Sequence, residues 1–203
     1  MSGYFCAACG VKNCIKKMGE EGEYPRSCPS TAPEMAEYRA MYDRPEDYHL
    51  ARISTLCSPD HSECRVLKTI RFAKECGFHR LGLAFCTTLR EDAREVDRLL
   101  REAGFQVESL ICKVGHLDRS FLDVAPSSKC MCNPIAQAEM LNRAGTELNI
   151  LLGLCVGHDT LFIKHSAAPV TVLAVKDHVY NNAPMEYLRE LREAREKEKE
   201  AKP

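Results

Sequence analysis

Short apolar runs alternate with longer amphipathic segments from residue 79 onward, and this alternation restricts the fold more than any other feature of the chain. Four apolar runs are predicted to form strands, at residues 80–86, 105–112, 147–155 and 170–175. Helical patterns separate these strands, at residues 88–103, 133–144 and 160–165. Strands joined by helices favour a mostly parallel sheet with right-handed crossovers and helices on both faces. The predicted fold class is therefore α/β, with a doubly wound domain.

The segments on either side of this alternation differ from it in composition. Residues 1–34 are rich in Cys, Gly, Pro and charged side chains without periodicity, so they cannot build an apolar core and need a metal to order them. Residues 35–78 have helical patterns that lead into the α/β domain. Residues 185–203 have the pattern of a charged, solvated helix. We therefore divide the chain into a Cys-rich metal-binding segment (1–34), an α/β domain with N-terminal helices (35–184) and a charged C-terminal helix.

Charge and hydropathy argue against several classes of partner. The 203 residues include 28 Lys and Arg against 29 Asp and Glu, a formal net charge of -1, so no overall field attracts nucleic acid. The longest apolar runs are far shorter than the roughly 20 residues that cross a bilayer, and the N-terminus lacks a secretory signal. These features predict a cytoplasmic protein that binds neither nucleic acid nor membrane. A reducing cytoplasm keeps its 12 cysteines as thiols unless a metal binds them.

Four cysteines near the N-terminus have the spacing of a metal site. Cys6, Cys9, Cys14 and Cys28 follow the pattern C-x2-C-x4-C-x13-C, and Gly10 eases the turn that lets the first pair share one ion. Four thiolates satisfy either Zn2+ or a [4Fe-4S] cluster. A Gly after the first pair is typical of zinc knuckles, whereas the short spacing and the Pro that follows Cys28 are typical of iron–sulfur proteins. The sequence leaves both metal centres open.

Further cysteines follow the predicted strands. Cys86, Cys112 and Cys155 each stand at the carboxyl end of a different strand, and Asp177 and His178 follow the fourth. In open parallel sheets, ligands bind along this edge, at the point where the strand order reverses. The three cysteines therefore form a candidate site.

Two turns that precede helices add further residues to this edge. Cys130 and Cys132 come directly before a predicted helix, where the helix dipole favours thiolates, and His158 follows Cys155 in a second such turn. We predict a second metal or reactive-thiol site built from Cys130, Cys132, Cys155 and His158, with Cys86 as a further candidate member. The alternative is that the strand-end cysteines are simply buried and that the CMC sequence is an ordinary loop.

A third group has the residue types of a metal site, namely Cys57, His61 and Cys64. The Ser-Pro-Asp sequence inside this group also serves as a helix-start signal, so capping is an alternative explanation.

The sequence contains no Gly-rich nucleotide motif, no G-x-S-x-G elbow and no H-E-x-x-H pair. The best-known signatures of nucleotide-binding proteins, hydrolases and zinc proteases are therefore missing.

Three stretches of sequence together resemble a known family. They are the Cys-rich head that ends in Cys28-Pro29, the stretch CMCNPIAQAE, and the stretch GLCVGHD with the APVT and VKD sequences that follow it. They resemble the uncharacterised metal-binding proteins of anaerobic prokaryotes, which are classified as a domain of unknown function. The resemblance covers nearly the whole chain and implies metal binding by the N-terminal quartet and a functional second site, but no reaction comes with it. The residues around His178 depart from the family's ending.

Three functions fit these features. In the first, the chain is an enzyme or redox protein whose strand-end thiols carry out electron transfer, sulfur transfer or thiol chemistry with a small-molecule or redox partner. In the second, the N-terminal metal is a structural zinc, and the α/β domain binds a metal ion or small ligand without turnover. In the third, exchangeable thiolates pass a soft metal ion to a client. We favour a metal-binding α/β protein with redox or sulfur chemistry at the second site.

Overall fold

Runs of Leu, Val and Ile form the four strands, because such side chains pack well on both faces of a buried parallel sheet. The computed structural model describes residues 4–20, 22–26, 28–58 and 62–200. The strands are β1 (Arg80–Phe85), β2 (Gln106–Ile111), β3 (Leu148–Leu154) and β4 (Val170–Val175). The strand order is β2-β1-β3-β4, and every neighbouring pair is parallel. The predicted α/β class is therefore confirmed.

Seven α-helices lie within these described ranges. They are α1 (Met35–Met41), α2 (Pro45–Cys57), α3 (Arg65–Glu75), α4 (Arg90–Glu102), α5 (Pro134–Ala144), α6 (His158–His165) and α7 (Met185–Glu200). Consecutive strands are joined through α4, α5 and α6 in turn, which is how parallel strands are connected. None of the helices in this part of the chain is long and apolar enough to cross a membrane.

Helices cover both faces of the sheet. The α4 cluster, on one face, includes the buried residues Leu81, Leu83, Ile150, Val96 and Leu100. The α5–α6 cluster, on the other face, includes the buried residues Ala84, Leu151, Leu154, Leu141 and Phe162. Because the helix that follows β1 packs on one face and those that follow β2 and β3 pack on the other, the sheet is doubly wound.

β1 lies inside the sheet and aligns the ends of its two neighbours. Phe85, the last residue of β1, is in register with Ile111 of β2 and Leu152 of β3. The strand order reverses at β1, since β2 lies on one side of it and β3 and β4 lie on the other. The carboxyl ends of β1 and β3 therefore border the place where parallel sheets bind ligands.

β3 carries an irregularity close to its carboxyl end. The register between β3 and β4 shifts on both sides of Leu152, and Gly153 has a φ of 65°. A Cβ at Gly153 would lie 2.2 Å from Leu89 Cδ1, so glycine is needed both for the space and for the backbone conformation. Leu152 packs in the α4 cluster and Leu154 in the α5–α6 cluster. In a regular strand Leu152 and Leu154 would lie on the same face, so the irregularity at Gly153 moves the side chain of Leu154 to the opposite face of the sheet.

The caps of α5 fix the loop that follows β2. Asn133 accepts a hydrogen bond from the Ala136 N–H at 3.1 Å, Pro134 occupies the first turn, and Gly145 ends the helix with a φ of 68°. The Asn133 N–H also donates to the Cys112 carbonyl at 2.8 Å. The N-terminus of α5 is therefore held beside the end of β2.

The chain divides into two compact units, residues 1–56 and 57–203. The second unit contains the sheet and is here termed the α/β unit. The first unit contains three short 3-10 helices, Cys6–Ala8, Asn13–Ile15 and Pro29–Thr31, which precede α1 and α2. None of the described residues from 4 to 31 is buried, so this stretch has no apolar core of its own. The predicted boundaries after residues 34 and 184 stay predictions.

Candidate functional sites

The four N-terminal cysteines line one cavity, here termed the cysteine pocket. Its volume is about 410 Å3, and Cys6, Cys9, Cys14 and Cys28 all contribute to its wall. Short 3-10 helices position them, since Cys6 begins the first, Cys14 lies in the second and Cys28 comes directly before the third. The predicted quartet therefore shares a single concave space.

The rest of the wall of the cysteine pocket is mainly apolar, with contributions from Phe5, Val11, Ile15, Tyr24 and Pro25. Three of its cysteines are exposed and Cys28 is half-buried. A Cβ at Gly10 would meet no atom within 4 Å, so the turn after the first pair is open on that side. The Cys9 thiol donates to the Val11 carbonyl at 3.4 Å. The pocket is therefore open to solvent and accessible to a metal ion or cluster.

The described residues do not form a preassembled site for a single ion. Within the ranges that the structure describes, no three or more His, Cys, Asp or Glu side chains are grouped as ligands of a metal ion. The ligand role of the N-terminal quartet, and the choice between zinc and a cluster, stay predictions.

Two buried thiols meet at the carboxyl edge of the sheet. Cys86 and Cys112 directly follow β1 and β2, and the Cys112 N–H donates to the Phe85 carbonyl at 2.9 Å, which extends the register by one residue. Both side chains lie in the α5–α6 cluster, where Cys86 is 6% exposed and Cys112 is 3% exposed. The two thiols lie close enough for each to influence the pKa of the other.

Two half-buried thiols lie beside this pair. Cys132, directly before the cap of α5, packs against the α5–α6 cluster and lies close enough to Cys112 to influence its pKa. Cys155, directly after β3, lies close enough to Cys86 and Cys132 for their charges to influence its pKa. These four residues, Cys86, Cys112, Cys132 and Cys155, are the strand-end thiols. The structure therefore brings three members of the predicted second site together and adds Cys112 to them.

Opposing influences act on the Cys86 thiol. Burial raises its pKa, but the pKa nevertheless lies below its ordinary value. Hydrogen bonds from Thr88, the charge of Lys176 and the neighbouring Cys112 thiol together outweigh burial. Thr88 Oγ1 lies 3.4 Å from Cys86 Sγ, and the Lys176 ammonium group donates to the same hydroxyl. Lys176 directly follows β4, so the fourth strand supplies the positive charge of the site.

Burial outweighs the other influences on two other strand-end thiols. It raises the pKa of Cys112 to about 12, with further contributions from Cys132 and Cys86, although the Thr87 N–H donates to the Cys112 sulfur at 3.4 Å. Burial also raises the pKa of Cys155, as do the charges of Cys86 and Cys132. The site therefore holds Cys86, whose pKa is lowered, beside Cys112, whose pKa is raised.

Replacement of Lys176 by Met should raise the pKa of Cys86, because it removes the cation that stabilises the thiolate. A smaller fraction of Cys86 is then ionised at neutral pH, and we expect its alkylation by iodoacetamide to slow several-fold. The tryptic peptide 81–90 contains Cys86 as its only cysteine, so mass spectrometry can follow this reaction. Lys164→Met, at an exposed position of α6, is the matched control, and an equal effect of both substitutions would contradict the assignment.

Two members of the predicted second site lie apart from these contacts. Cys130 is half-buried, and its carbonyl accepts a hydrogen bond from the Lys113 ammonium group, but its thiol makes no hydrogen bond with a described residue. His158 is half-buried at the start of α6, where its N–H donates to the Cys155 carbonyl at 2.9 Å. Its ring makes no hydrogen bond or ion pair in the described part of the chain. Ligand or catalytic roles for Cys130 and His158 stay predictions.

The fourth strand contributes a residue that the sequence interpretation missed. Asp177 and His178 were expected at this edge, but Asp177 accepts hydrogen bonds from the N–H groups of Val179 and Tyr180, at 2.9 and 3.0 Å, within its own turn. His178 is exposed. The ammonium group of Lys176, one residue earlier, donates to Thr88, and its charge lowers the pKa of the nearby Cys86. The sequence signal that could have identified Lys176 is its position directly after an apolar run.

The third cysteine group shows contacts of a different kind. Cys57 is buried at the end of α2, and its carbonyl accepts a hydrogen bond from Arg71 at 3.1 Å. Cys64 is exposed and immediately precedes α3. His61 lies outside the described residues. A metal site at this group stays a prediction.

This chain is a doubly wound α/β protein. It has a parallel four-stranded sheet, helices on both faces of the sheet and a carboxyl edge lined by cysteines. It belongs to the family described as protein of unknown function (DUF1847), which matches residues 28–173. One relative is the uncharacterised protein MJ0455 of Methanocaldococcus jannaschii, which is 37% identical over 147 residues, or 70% of this chain and 76% of that protein. No solved structure matches the chain significantly.

These comparisons confirm the resemblance to an uncharacterised family, and they leave its metal binding as a prediction. The matched region includes all four strand-end thiols, and it begins at Cys28, so it omits Cys6, Cys9 and Cys14. The part of the chain that defines the family is therefore the α/β unit together with the residues that directly precede it.

Proposed function

We propose that this protein holds a metal centre at Cys6, Cys9, Cys14 and Cys28 and carries out thiol-based redox chemistry at the strand-end thiols. One observation carries the metal proposal: all four cysteines of the C-x2-C-x4-C-x13-C pattern line the cysteine pocket. Four thiols around one cavity are the donor set that zinc and iron–sulfur clusters use. A stretch with no buried residues also needs such a centre for stability.

The short C-x2-C-x4-C spacing and the Pro that follows Cys28 support a [4Fe-4S] cluster rather than a single zinc ion, because both features are typical of iron–sulfur proteins. A cluster, when bound, supplies one-electron transfer.

The redox proposal for the strand-end thiols rests on their contacts and on their place in the sheet. Cys86 and Cys155 border the reversal of strand order, which is the usual ligand site of a parallel sheet. Cys86 and Cys112 share one buried cluster, which pairs a thiol with lowered pKa and a thiol with raised pKa. Lys176 adds the positive charge that reactive thiolates require nearby.

The metal proposal predicts a brown protein after anaerobic purification. We expect broad visible absorbance and about four irons and four acid-labile sulfides per chain, which is the content of one cluster. In Cys14→Ser, one ligand is lost, so most of the iron and sulfide should be lost too. Elemental analysis and an absorption spectrum of the same samples measure both quantities.

Cys76→Ser is the matched control, because Cys76 caps the C-terminus of α3 and takes no part in the cysteine pocket. It should keep the full iron content. A colourless protein with about one zinc per chain would instead favour the structural-zinc function. Protein without metal after anaerobic purification and reconstitution, or an unchanged metal content in Cys14→Ser, would overturn the assignment of this quartet.

A further inference from the structure

We propose that Cys86 and Cys112 form a dithiol–disulfide couple that exchanges electrons with low-molecular-weight disulfides, with Cys86 as the attacking sulfur and Cys112 as the resolving sulfur. This inference rests on the proposed redox role of the strand-end thiols, and it names the reacting pair and the class of substrate. It does not depend on the metal centre at the cysteine pocket.

The geometry of the sheet brings the two sulfurs into bonding range. Cys86 and Cys112 extend the register of β1 and β2 by one residue, so their Cα atoms are separated by about the 4.8 Å spacing of neighbouring strands. Disulfides bridge Cα atoms that are about 4.4–6.8 Å apart. Both side chains lie in the α5–α6 cluster, and each thiol lies close enough to the other to influence its pKa. A disulfide therefore requires no rearrangement of the strands.

The surroundings of the two sulfurs assign their roles. Cys86 receives hydrogen bonds from Thr88 and lies near the Lys176 ammonium group, so its thiolate is stabilised. Cys112 is the more deeply buried of the two and retains its proton, as a resolving cysteine does until the mixed disulfide has formed.

Burial limits the size of the substrate. Cys86 is 6% exposed and Cys112 is 3% exposed, so a disulfide within a folded protein cannot reach them without local opening. Cys132 and Cys155, the other two strand-end thiols, are half-buried and therefore more accessible to solvent than the pair. A compact disulfide formed by two small thiols fits this limited access.

The reaction is balanced in atoms and electrons. The Cys86 thiolate attacks one sulfur of the small disulfide, so a Cys86–substrate bond forms, the substrate disulfide breaks, and one thiolate leaves and takes up a proton. Cys112 then loses its proton and attacks the Cys86 sulfur, so the Cys86–Cys112 bond forms and the second substrate thiolate leaves. The dithiol gives two electrons to the small disulfide, and an excess of the small thiol reverses both steps.

Tryptic peptides allow a direct test with oxidised and reduced glutathione as the probe. Peptide 81–90 contains only Cys86, peptide 102–113 contains only Cys112, and peptide 144–164 contains only Cys155, whereas 130–143 contains Cys130 and Cys132. After equilibration, acid quenching and alkylation, we expect peptides 81–90 and 102–113 to be joined by a disulfide that excess reduced glutathione removes. In Cys112→Ser, peptide 81–90 should instead retain one glutathione. In Cys86→Ser, peptide 102–113 should remain unmodified.

The alternative outcomes separate this inference from the broader proposal. Glutathione adducts or disulfides confined to peptides 130–143 and 144–164 would keep thiol chemistry at this edge and overturn the Cys86–Cys112 assignment. No reaction at any strand-end thiol would overturn both. The wild-type peptide map alone decides the pairing if a serine variant fails to fold. Cys76→Ser, at the opposite edge of the sheet, and Cys14→Ser, which changes only the cysteine pocket, should both form the same disulfide as the wild type.

Discussion

Removal of the proposed metal centre from the cysteine pocket is expected to open the N-terminal stretch to trypsin at Lys12 and Lys17, while the α/β unit remains resistant. No described residue from 4 to 31 is buried, so the stretch has no hydrophobic core to hold it once the ligands are free. Binding of a structural metal by thiolates contributes about 10–16 kcal/mol to the folding of small metal-dependent segments. Cleavage at these two lysines should therefore accelerate by orders of magnitude.

Limited proteolysis followed by mass spectrometry, before and after chelation, measures this effect. Lys113 and Arg143 belong to the α/β unit and provide internal reference sites in the same digest. Cys14→Ser should reproduce the effect of chelation, and Cys76→Ser should not. Equal cleavage of the N-terminal stretch with and without metal would show that something other than a metal centre orders it.

Phe162→Ala should destabilise the α/β unit by about 3–5 kcal/mol, the usual loss when a fully buried Phe is truncated. Phe162 is 0% exposed and packs in the α5–α6 cluster with Leu141 and Leu154. A stability of about 5–15 kcal/mol is typical of folded domains, so this loss is a large part of the total. Urea unfolding followed by circular dichroism gives the free energy of unfolding directly.

Ile163→Ala is the matched control on the same helix. Ile163 is 49% exposed, and its truncation should change the free energy of unfolding by about 0.5 kcal/mol or less. A loss below about 1 kcal/mol for Phe162→Ala would mean that the core does not depend on the α6 side of the sheet. Folded Phe162→Ala protein should also show altered alkylation of Cys155, because α6 begins directly after the turn that contains this residue.

Most of the fold could be predicted from the sequence, because local signals define its elements. Apolar runs placed each strand within one residue of its observed ends, and Pro134 and Gly145 marked the limits of α5. The helix predicted at residues 160–165 begins earlier, at His158, because Gly157 adopts a φ of 87° and allows the chain to turn directly into α6. Hydropathy does not report the backbone conformation of a glycine, so the sequence pattern could not predict this earlier start.

The candidate site could be predicted only in part, because its contacts depend on the order of the strands. Cysteines at three strand ends indicated a site at one edge, but the close contact of Cys86 and Cys112 requires that β1 and β2 be neighbours in register. After the hydrogen bonds from Thr88, the charge of Lys176 contributes to the lowered pKa of Cys86, and Lys176 directly follows β4, which is remote in sequence from Cys86. Neither strand order nor register can be read from periodicity alone.

The position of β1 between β2 and β3 also bears on how the thiols assemble during synthesis. The pairing of β1 with β2 needs the chain only as far as Ile111, whereas Leu81 of β1 must wait for Leu148 of β3. Contacts between residues that are distant in sequence form more slowly than local ones. Cys86 and Cys112 can therefore meet on an incomplete nascent chain, and Cys155 joins them only after β3 has docked. The paired cysteines belong to the first part of the sheet that can fold, and the rest of the site is built around them.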